Sequence, residues 1–164
     1  MAHARWWGGS PHGAAFNIDQ PVGQGQPNRP GDVALVQWMV RHLHYLSPVA
    51  TGGWRSLRFD VPGAQAPQIT GQFDADTALW IAAYQHWRSD NAVPEDPAPQ
   101  EIAMLAGRRV EIRPWSYPVP LDFAVQVVDA GVTMALMNFD LRPTPRAELI
   151  RDLPQALARE ICFQ

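Results

Sequence analysis

Two helical patterns constrain the fold of this chain more than any other feature of its sequence. The first runs from Asp32 to Leu46, and the second runs from Asp74 to Trp87. In each pattern, apolar residues recur at steps of three and four positions, which places them on one face of an α-helix. The aspartate that opens each pattern can accept hydrogen bonds from the free backbone N–H groups of a first helical turn. The sequence therefore predicts two amphipathic helices that pack together as the nucleus of a small bundle.

The connection between these helices is long for a compact domain. Residues 47–69 are predicted to be an insertion, and long connections of this kind are often functional. The insertion contains Trp54, Arg55 and Arg58. Two interpretations remain open, because such an arm could present an aromatic ring and two arginines to a partner or could fold back over the bundle.

The residues around the second helix form a motif that continues into the helices on either side. The motif consists of Thr70-Gly71-Gln72-Phe73-Asp74, Thr77, Ala78, Ile81 and Tyr84-Gln85, preceded by Val33, Val36-Gln37 and Leu43 and followed by Ile102, Met104 and Leu105. It resembles the peptidoglycan-binding-like domain, a family with a three-helix fold. The resemblance covers residues 28–107, about half of the chain. The lead-in from Pro21 to Asn28 is similar to a variant of the family found in bacterial secretion-linked and cell-wall-associated proteins. Where the family commonly has Asp-Gly, this chain has Glu95-Asp96, which leaves the local turn open but not the helix that follows. That short helix, at residues 101–106, is predicted to end at Gly107.

The resemblance implies a role in recognition. In this family the module is usually attached to cell-wall enzymes and takes no part in their chemistry, which implies binding of peptidoglycan or service as an adaptor. Sugar and peptide recognition generally uses aromatic platforms and a few polar groups in a shallow groove. The candidate ligand-binding residues, near the insertion and the helix ends, are Tyr45, Trp54, Arg55, Gln72 and Asp74.

Two glutamines of the motif are predicted to be structural. Gln37 and Gln85 match glutamines of the family pattern. A glutamine amide carries both a donor and an acceptor, so each can tie its helix to a neighbouring loop backbone.

The chain outside residues 28–107 is predicted to contain extended segments. Residues 1–27 form an extended N-terminal segment, in which Phe16, Ile18 and Val22 alternate enough for a short strand on the bundle. Residues 108–164 do not resemble the family, and residues 109–113 within them alternate as a strand.

A β-hairpin and a terminal helix are predicted to complete the chain. Residues 122–128 and 132–141 are β-rich runs on either side of Asp129-Ala130-Gly131, a good three-residue hairpin signal. The terminal helix should be kinked or split at Pro154. The predicted fold class is α+β: a three-helix peptidoglycan-binding-like bundle at residues 28–107, then a β-hairpin or small antiparallel sheet and a C-terminal helix at residues 108–164.

The sequence contains no recognisable catalytic constellation. A hydrolase needs an activated nucleophile or a metal, but the chain has no His-Glu-x-x-His and no Cys/His set with zinc spacing. His42 and His44 are two positions apart on a helix and should point to different sides. Cys162 is the single cysteine, so no disulfide can form within the chain. We therefore expect no catalytic residues, no metal site and no cofactor.

Charge and hydropathy argue against two classes of partner. The net charge of -3 leaves no basic surplus for nucleic acid. No apolar run approaches the roughly 20 residues that span a bilayer, so we expect no membrane insertion. The N-terminus lacks the apolar core of a signal peptide, which makes a cytoplasmic location the default expectation. Export to the periplasm or cell wall by a signal-independent route is the alternative.

Three functional hypotheses follow. The first is a non-catalytic peptidoglycan-binding-like module, acting as a cell-wall-binding or adaptor protein in a bacterial secretion or phage-tail-like system. The second is a protein-interaction or structural module that keeps the fold without binding glycan, with a protein of such an apparatus as its partner. The third is an uncharacterised cell-wall hydrolase, which the lack of a catalytic constellation disfavours.

Overall fold

The computed structural model describes residues 2–6, 14–45, 61, 63–90, 99–116, 128–141, 144, 147, 149, 151 and 153–160. Within them the chain mixes helix and sheet, with five helices and two antiparallel sheets of two strands each. In chain order the elements are β1 (His3–Trp6), β2 (Ala14–Asn17), β3 (Val22–Gly23), α1 (Pro30–Tyr45), α2 (Ala75–Asp90), α3 (Pro99–Gly107), β4 (Glu111–Ile112), α4 (Thr133–Leu141) and α5 (Gln155–Glu160). Not one of these described helices has the length and apolar composition needed to cross a membrane.

Helix α1 lies at the centre of the fold. It packs against α2, α4 and α5, and it also contacts β3. Because α1 has neighbours on several sides, its buried apolar side chains are not confined to one face, and their burial stabilises its packing against each neighbour. Its buried apolar side chains are Val33, Leu35, Val36, Trp38, Met39, Val40 and Leu43.

The start of α1 differs from the prediction. The helix begins at Pro30, where the missing proline N–H removes no helical hydrogen bond. The predicted capping role of Asp32 is wrong, because its buried carboxylate instead accepts hydrogen bonds from the backbone N–H groups of Asp19 (3.1 Å) and Gln20 (3.2 Å). Asp32 therefore fastens the segment before β3 to the helix.

The predicted hairpin is wrong in its second strand, because residues Thr133–Leu141 form helix α4. Its first run, at residues 122–127, lies outside the described residues. All residues of α4 except Phe139 are buried, so the helix has no polar stripe. A short apolar run that is buried all round cannot be assigned to strand or helix by periodicity alone.

Asp129 starts α4 in place of the predicted hairpin turn. Its carboxylate accepts a hydrogen bond from the backbone N–H of Gly131 at 2.7 Å. Its carbonyl accepts from the backbone N–H of Thr133 (3.2 Å) and from the hydroxyl of Thr133 (2.6 Å). Aspartate bonds of this kind favour a turn that leads into a helix.

Two small sheets join the N-terminal segment to the rest of the chain. Strands β1 and β2 pair antiparallel, and β3 pairs antiparallel with β4 so that Val22 lies opposite Ile112. The strand predicted within residues 109–113 and the extended segment around Phe16 are thus confirmed. The sequence pattern does not predict β1, since its buried side chain at Ala4 carries little apolar signal.

Two predicted helix ends are confirmed. Helix α3 ends at Gly107. Pro154 splits the C-terminal helical region, because Arg151 is helical, Leu153 and Pro154 are not, and α5 begins at Gln155. The proline ring excludes the N–H···O bond that would continue a helix.

A single hydrophobic cluster draws side chains from all three predicted segments of the chain. Phe16 and Ile18 come from residues 1–27, Trp38 comes from residues 28–107, and Ile112 and Met134 come from residues 108–164. The ring of Phe16 contacts that of Trp38 edge to face, with centroids 5.2 Å apart. The flanking segments therefore share one core with the helices.

Candidate functional site

The motif residues meet at the side chain of Gln37, in the middle of α1. Its Oε1 accepts hydrogen bonds from the backbone N–H groups of Thr70 (2.9 Å) and Gly71 (3.0 Å). Its Nε2 donates to the backbone carbonyl of Gln72 (2.9 Å) and to Oγ1 of Thr77 (3.0 Å). Gln37 is fully buried, and these bonds satisfy polar groups that would otherwise be costly to bury. The prediction that Gln37 ties its helix to a neighbouring loop is confirmed.

Asp74 is the N-cap of α2. Its Oδ1 accepts hydrogen bonds from the backbone N–H of Thr77 (2.7 Å) and from the Thr77 hydroxyl (2.6 Å). Since α2 begins at Ala75, this carboxylate satisfies one of the free donors of the first turn, as predicted. Thr77 also bonds Gln37, so residues 70–74 are held at both ends.

Gln85 has the structural role predicted for it, although its backbone partner lies in a strand. Its Nε2 donates to the carbonyl of Glu111 in β4 (3.1 Å) and to Oγ1 of Thr133 in α4 (2.9 Å). One buried amide therefore joins α2 to two elements of the C-terminal segment.

The structure brings together two of the five predicted ligand-binding residues. Gln72 and Asp74 are both exposed on the loop that Gln37 holds. Tyr45 ends α1, eight residues after Gln37 and about 12 Å farther along the helix axis, so it lies away from that loop. Trp54 and Arg55 lie outside the described residues.

Two histidines of α1 pack on tryptophans. The His42 ring stacks on Trp38 with centroids 5.3 Å apart, and the His44 ring meets Trp80 edge to face at 4.6 Å. The two imidazoles therefore point to different sides of the helix, as their spacing predicts.

A buried polar cluster that the sequence pattern does not predict lies between α2 and α4. The Tyr84 hydroxyl donates to Oδ2 of Asp140 (2.8 Å), and Nε of Arg88 lies 3.2 Å from the same oxygen. Burial raises the pKa of Asp140 to about 6, against the opposing charge of Arg88 and the hydrogen bond from Tyr84. Burial also raises the pKa of Tyr84, and the nearby Asp140 charge adds to this effect.

The only sequence signal for this cluster is the spacing of Tyr84 and Arg88. They are four positions apart and so share a helix face. Their acidic partner, Asp140, falls in a run predicted as strand. Because Tyr84 and Asp140 are both buried, the cluster holds α2 against α4 and is closed to a ligand.

An open pocket of about 440 Å³ lies where the turn after β3 meets the end of α3. It is lined by Gln24, Gly25, Ala106, Gly107, Arg108 and Arg109. No local sequence pattern predicts this pocket, because its two halves are more than 80 positions apart in the chain. Arg108 and Arg109 give its wall hydrogen-bond donors and positive charge, which suit binding of an anionic group.

The described residues offer no metal site, and no known protein matches the chain. Across the described ranges, no group of three or more His, Cys, Asp or Glu residues could hold a metal ion. The described arrangement provides a hydrogen-bonded frame around Gln37 with the exposed polar side chains of Gln72 and Asp74 at its surface. Comparison with protein-family models, curated proteins and solved structures gives no match to this chain.

Proposed function

We propose that this chain is a non-catalytic binding module of the peptidoglycan-binding-like kind, in which α1, α2 and α3 correspond to the three-helix bundle. Its ligand is peptidoglycan. The module serves as a cell-wall-binding or adaptor protein, and a bacterial secretion or phage-tail-like apparatus is the setting that the resemblance implies.

The observation that carries the proposal is the convergence of the motif on Gln37. Gln37, Thr70, Gly71, Gln72 and Thr77 are separated by up to 40 positions, yet they form one hydrogen-bonded unit. A chance match of single residues gives no reason for the matched side chains to meet. The convergence therefore supports a motif that acts as a structural unit.

The exposed side chains beside this unit are the proposed ligand contacts. Gln72 extends from a loop whose backbone is held by Gln37, so little ordering cost is added when a ligand binds there. Asp74 is committed to capping α2 through Oδ1 and is a poor residue to mutate as a binding test. Trp54 and Arg55 stay in the proposal as predictions from the sequence.

Co-sedimentation with insoluble peptidoglycan sacculi tests the proposal. We expect the full chain to leave the supernatant with the sacculi, and we expect Trp54→Ala or Gln72→Ala to weaken this depletion several-fold. Gln100→Ala is the matched control, since Gln100 is an exposed glutamine at the start of α3. Retention of the full chain in the supernatant at high sacculus concentration would overturn the proposal.

A protein partner is the second candidate function. Met104 on α3 is 59% exposed, the one large apolar side chain so exposed within the described residues. An exposed methionine favours contact with apolar partner surfaces. If sacculi do not bind, pull-down of components of the secretion or phage-like apparatus, with Met104→Ser as the comparison, tests this function. Equal capture by both forms would exclude Met104 from the interface.

A further inference from the structure

The pocket beside α3 is built from two segments that are fastened to each other. Oε1 of Gln24 accepts a hydrogen bond from the backbone N–H of Val110 (2.7 Å), and the backbone N–H of Gln24 donates to the Val110 carbonyl (3.3 Å). Arg109 Nη2 also approaches the Gln24 carbonyl, at 3.4 Å. Gln24 is thus bonded to Val110 through both its side chain and its backbone. These bonds hold the segment after β3, which forms one wall of the pocket, against the segment after α3, which forms the other.

Among the residues that the structure describes, no carboxylate neutralises the positive charge of the pocket. Arg108 and Arg109 are both exposed, and no ion pair joins either guanidinium to a carboxylate in the part of the chain that the structure describes. Elsewhere in the molecule, Arg113 pairs with Glu111 at 2.6 Å and Arg88 pairs with Asp140 at 3.2 Å. The two guanidinium charges therefore have no carboxylate partner within the described part of the chain.

The end of α3 explains only part of this arrangement. Positive charge is favourable after Gly107, where the helix ends and its free carbonyl groups carry partial negative charge. The attraction between the arginines and the end of α3 does not require any other segment, yet Gln24 and Gly25 also line the pocket. Gly25 has no side chain, and a Cβ at this position would lie 3.5 Å from Nη2 of Arg109.

We propose that this pocket binds the carboxylate of a peptide ligand through Arg108 and Arg109. A guanidinium can donate two parallel hydrogen bonds to one carboxylate, which gives both charge complementarity and orientation. A pocket of about 440 Å³ has room for a terminal residue together with its carboxylate. The proposal rests on the proposed function in naming the peptide part of peptidoglycan as the source of that carboxylate. A phosphate group has similar chemistry and is the rival source.

NMR titration of the ¹⁵N-labelled full chain at constant ionic strength tests the site. The probes are an N-acetylated Ala-Ala dipeptide with a free carboxylate, the same dipeptide as its C-terminal amide, and inorganic phosphate. We expect the free carboxylate to shift the backbone amides of Gly25, Gly107, Arg108 and Arg109 in a saturable manner, with no saturable shift from the amide. A saturable response to phosphate at equal or lower concentration would overturn the peptide source.

Two double variants test whether the carboxylate response depends on charge in the pocket or on the net charge of the protein. The double variant Arg108→Gln/Arg109→Gln should weaken the carboxylate response at least about tenfold, since it removes both charged donors. Arg29→Gln/Arg113→Gln removes the same net charge from exposed positions outside the pocket and should leave the response unchanged. Equal weakening by both double variants would overturn the site, and preserved spectral dispersion shows that each variant is folded.

The sacculus assay keeps the two proposals distinguishable. If the full chain sediments with sacculi but the dipeptide gives no shift at the pocket, the carboxylate site is overturned while peptidoglycan binding stands. If the dipeptide saturates the pocket but the chain does not sediment, the site stands for another carboxylate ligand and the proposed function is overturned.

Discussion

Two asparagine side chains in this protein form paired hydrogen bonds with the backbone of a distant residue, a role that another backbone segment fills more often. Asn138 of α4 accepts from the backbone N–H of Phe16 (2.6 Å) and donates to the Phe16 carbonyl (2.8 Å). Asn17 makes the same paired contact with the backbone of Trp115, at 2.8 and 2.9 Å. An amide can satisfy a buried N–H and a buried carbonyl together, which suits the edge of β2 that does not face β1.

Replacement of Gln37 tests the cost of losing one such connection. Gln37→Leu keeps a similar volume but leaves the buried N–H of Gly71 without its acceptor and removes the bonds to the Gln72 carbonyl and the Thr77 hydroxyl. We expect the free energy of unfolding to fall by about 2–4 kcal/mol, because each unsatisfied buried group costs about 1–3 kcal/mol. Urea denaturation measures this change, and Gln68→Ala, at an exposed glutamine of the same connection, is the control. A loss below about 1 kcal/mol would contradict the structural role of Gln37.

Asp140 should make stability depend on pH. Burial raises its pKa to about 6 from an ordinary value of 3.8, so between these values the folded protein holds a proton that the unfolded chain has released. The free energy of unfolding should therefore fall as pH rises from about 4 to about 6, by at most about 3 kcal/mol from this group. Denaturation at several pH values measures the slope.

Two aspartate variants test whether Asp140 is the source of this pH dependence of the free energy of unfolding. Asp140→Asn should flatten it, whereas Asp76→Asn, at an exposed position of α2, should leave it unchanged. A remaining shallow slope of the same sign is expected, because burial also raises the pKa of Asp32. An unchanged slope in Asp140→Asn would show that Asp140 is not its source.

At the scale of elements, the approach of the loop to α1 depends on a glycine. Gly71 has φ +72°, and a Cβ at this position would lie 2.9 Å from the carbonyl oxygen of Pro30. Gly63 has a similar φ of +79°, but nothing lies within 4 Å of the place that its Cβ would occupy. The two glycines therefore differ in steric crowding and not in backbone conformation.

Alanine at these two glycines should separate strain from steric clash. Gly63→Ala should cost about 1 kcal/mol from the left-handed conformation alone. Gly71→Ala should cost at least about 1 kcal/mol more, because the loop must also move away from Pro30. Thermal unfolding of the two variants gives this comparison, and equal losses would contradict the close packing of the loop on α1.

At the scale of the whole molecule, the three helices within residues 28–107 depend on the flanking segments. Asp32 and Trp38 of α1 contact residues 16–20, while Tyr84 and Gln85 of α2 contact residues of β4 and α4. The core is thus continuous from the N-terminal strands to α5. Removal of the flanks would expose apolar surface on both sides of α1.

We therefore expect a fragment of residues 28–107 not to fold by itself. It would lose the buried partners of Asp32, Trp38 and Tyr84, and small domains have little stability in reserve. Circular dichroism of the fragment should show no cooperative thermal transition under conditions in which the full chain melts cooperatively. A sigmoidal transition with a native-like helical spectrum would contradict this dependence.

The sequence by itself determined the features that depend on local chemistry. The positions of α1 and α2 follow from apolar periodicity, and the roles of Gln37 and Gln85 follow from the donor and acceptor of each side-chain amide. The end of α3 at Gly107 and the break at Pro154 follow from backbone preferences of single residues. Each of these signals is contained within a short stretch of chain.

Only the tertiary structure decided the features that depend on distant contacts. Every residue of helix α4 except Phe139 is buried, so its sequence does not show the apolar periodicity that distinguishes a helix from a strand. Asp32 bonds a segment that precedes it by 12 and 13 positions, and Asp140 meets Tyr84 across 56 positions. The pocket at Arg108 and Arg109 requires β3 to pair with β4. Partners of this kind are chosen by the packing of whole elements, which no local pattern in the sequence specifies.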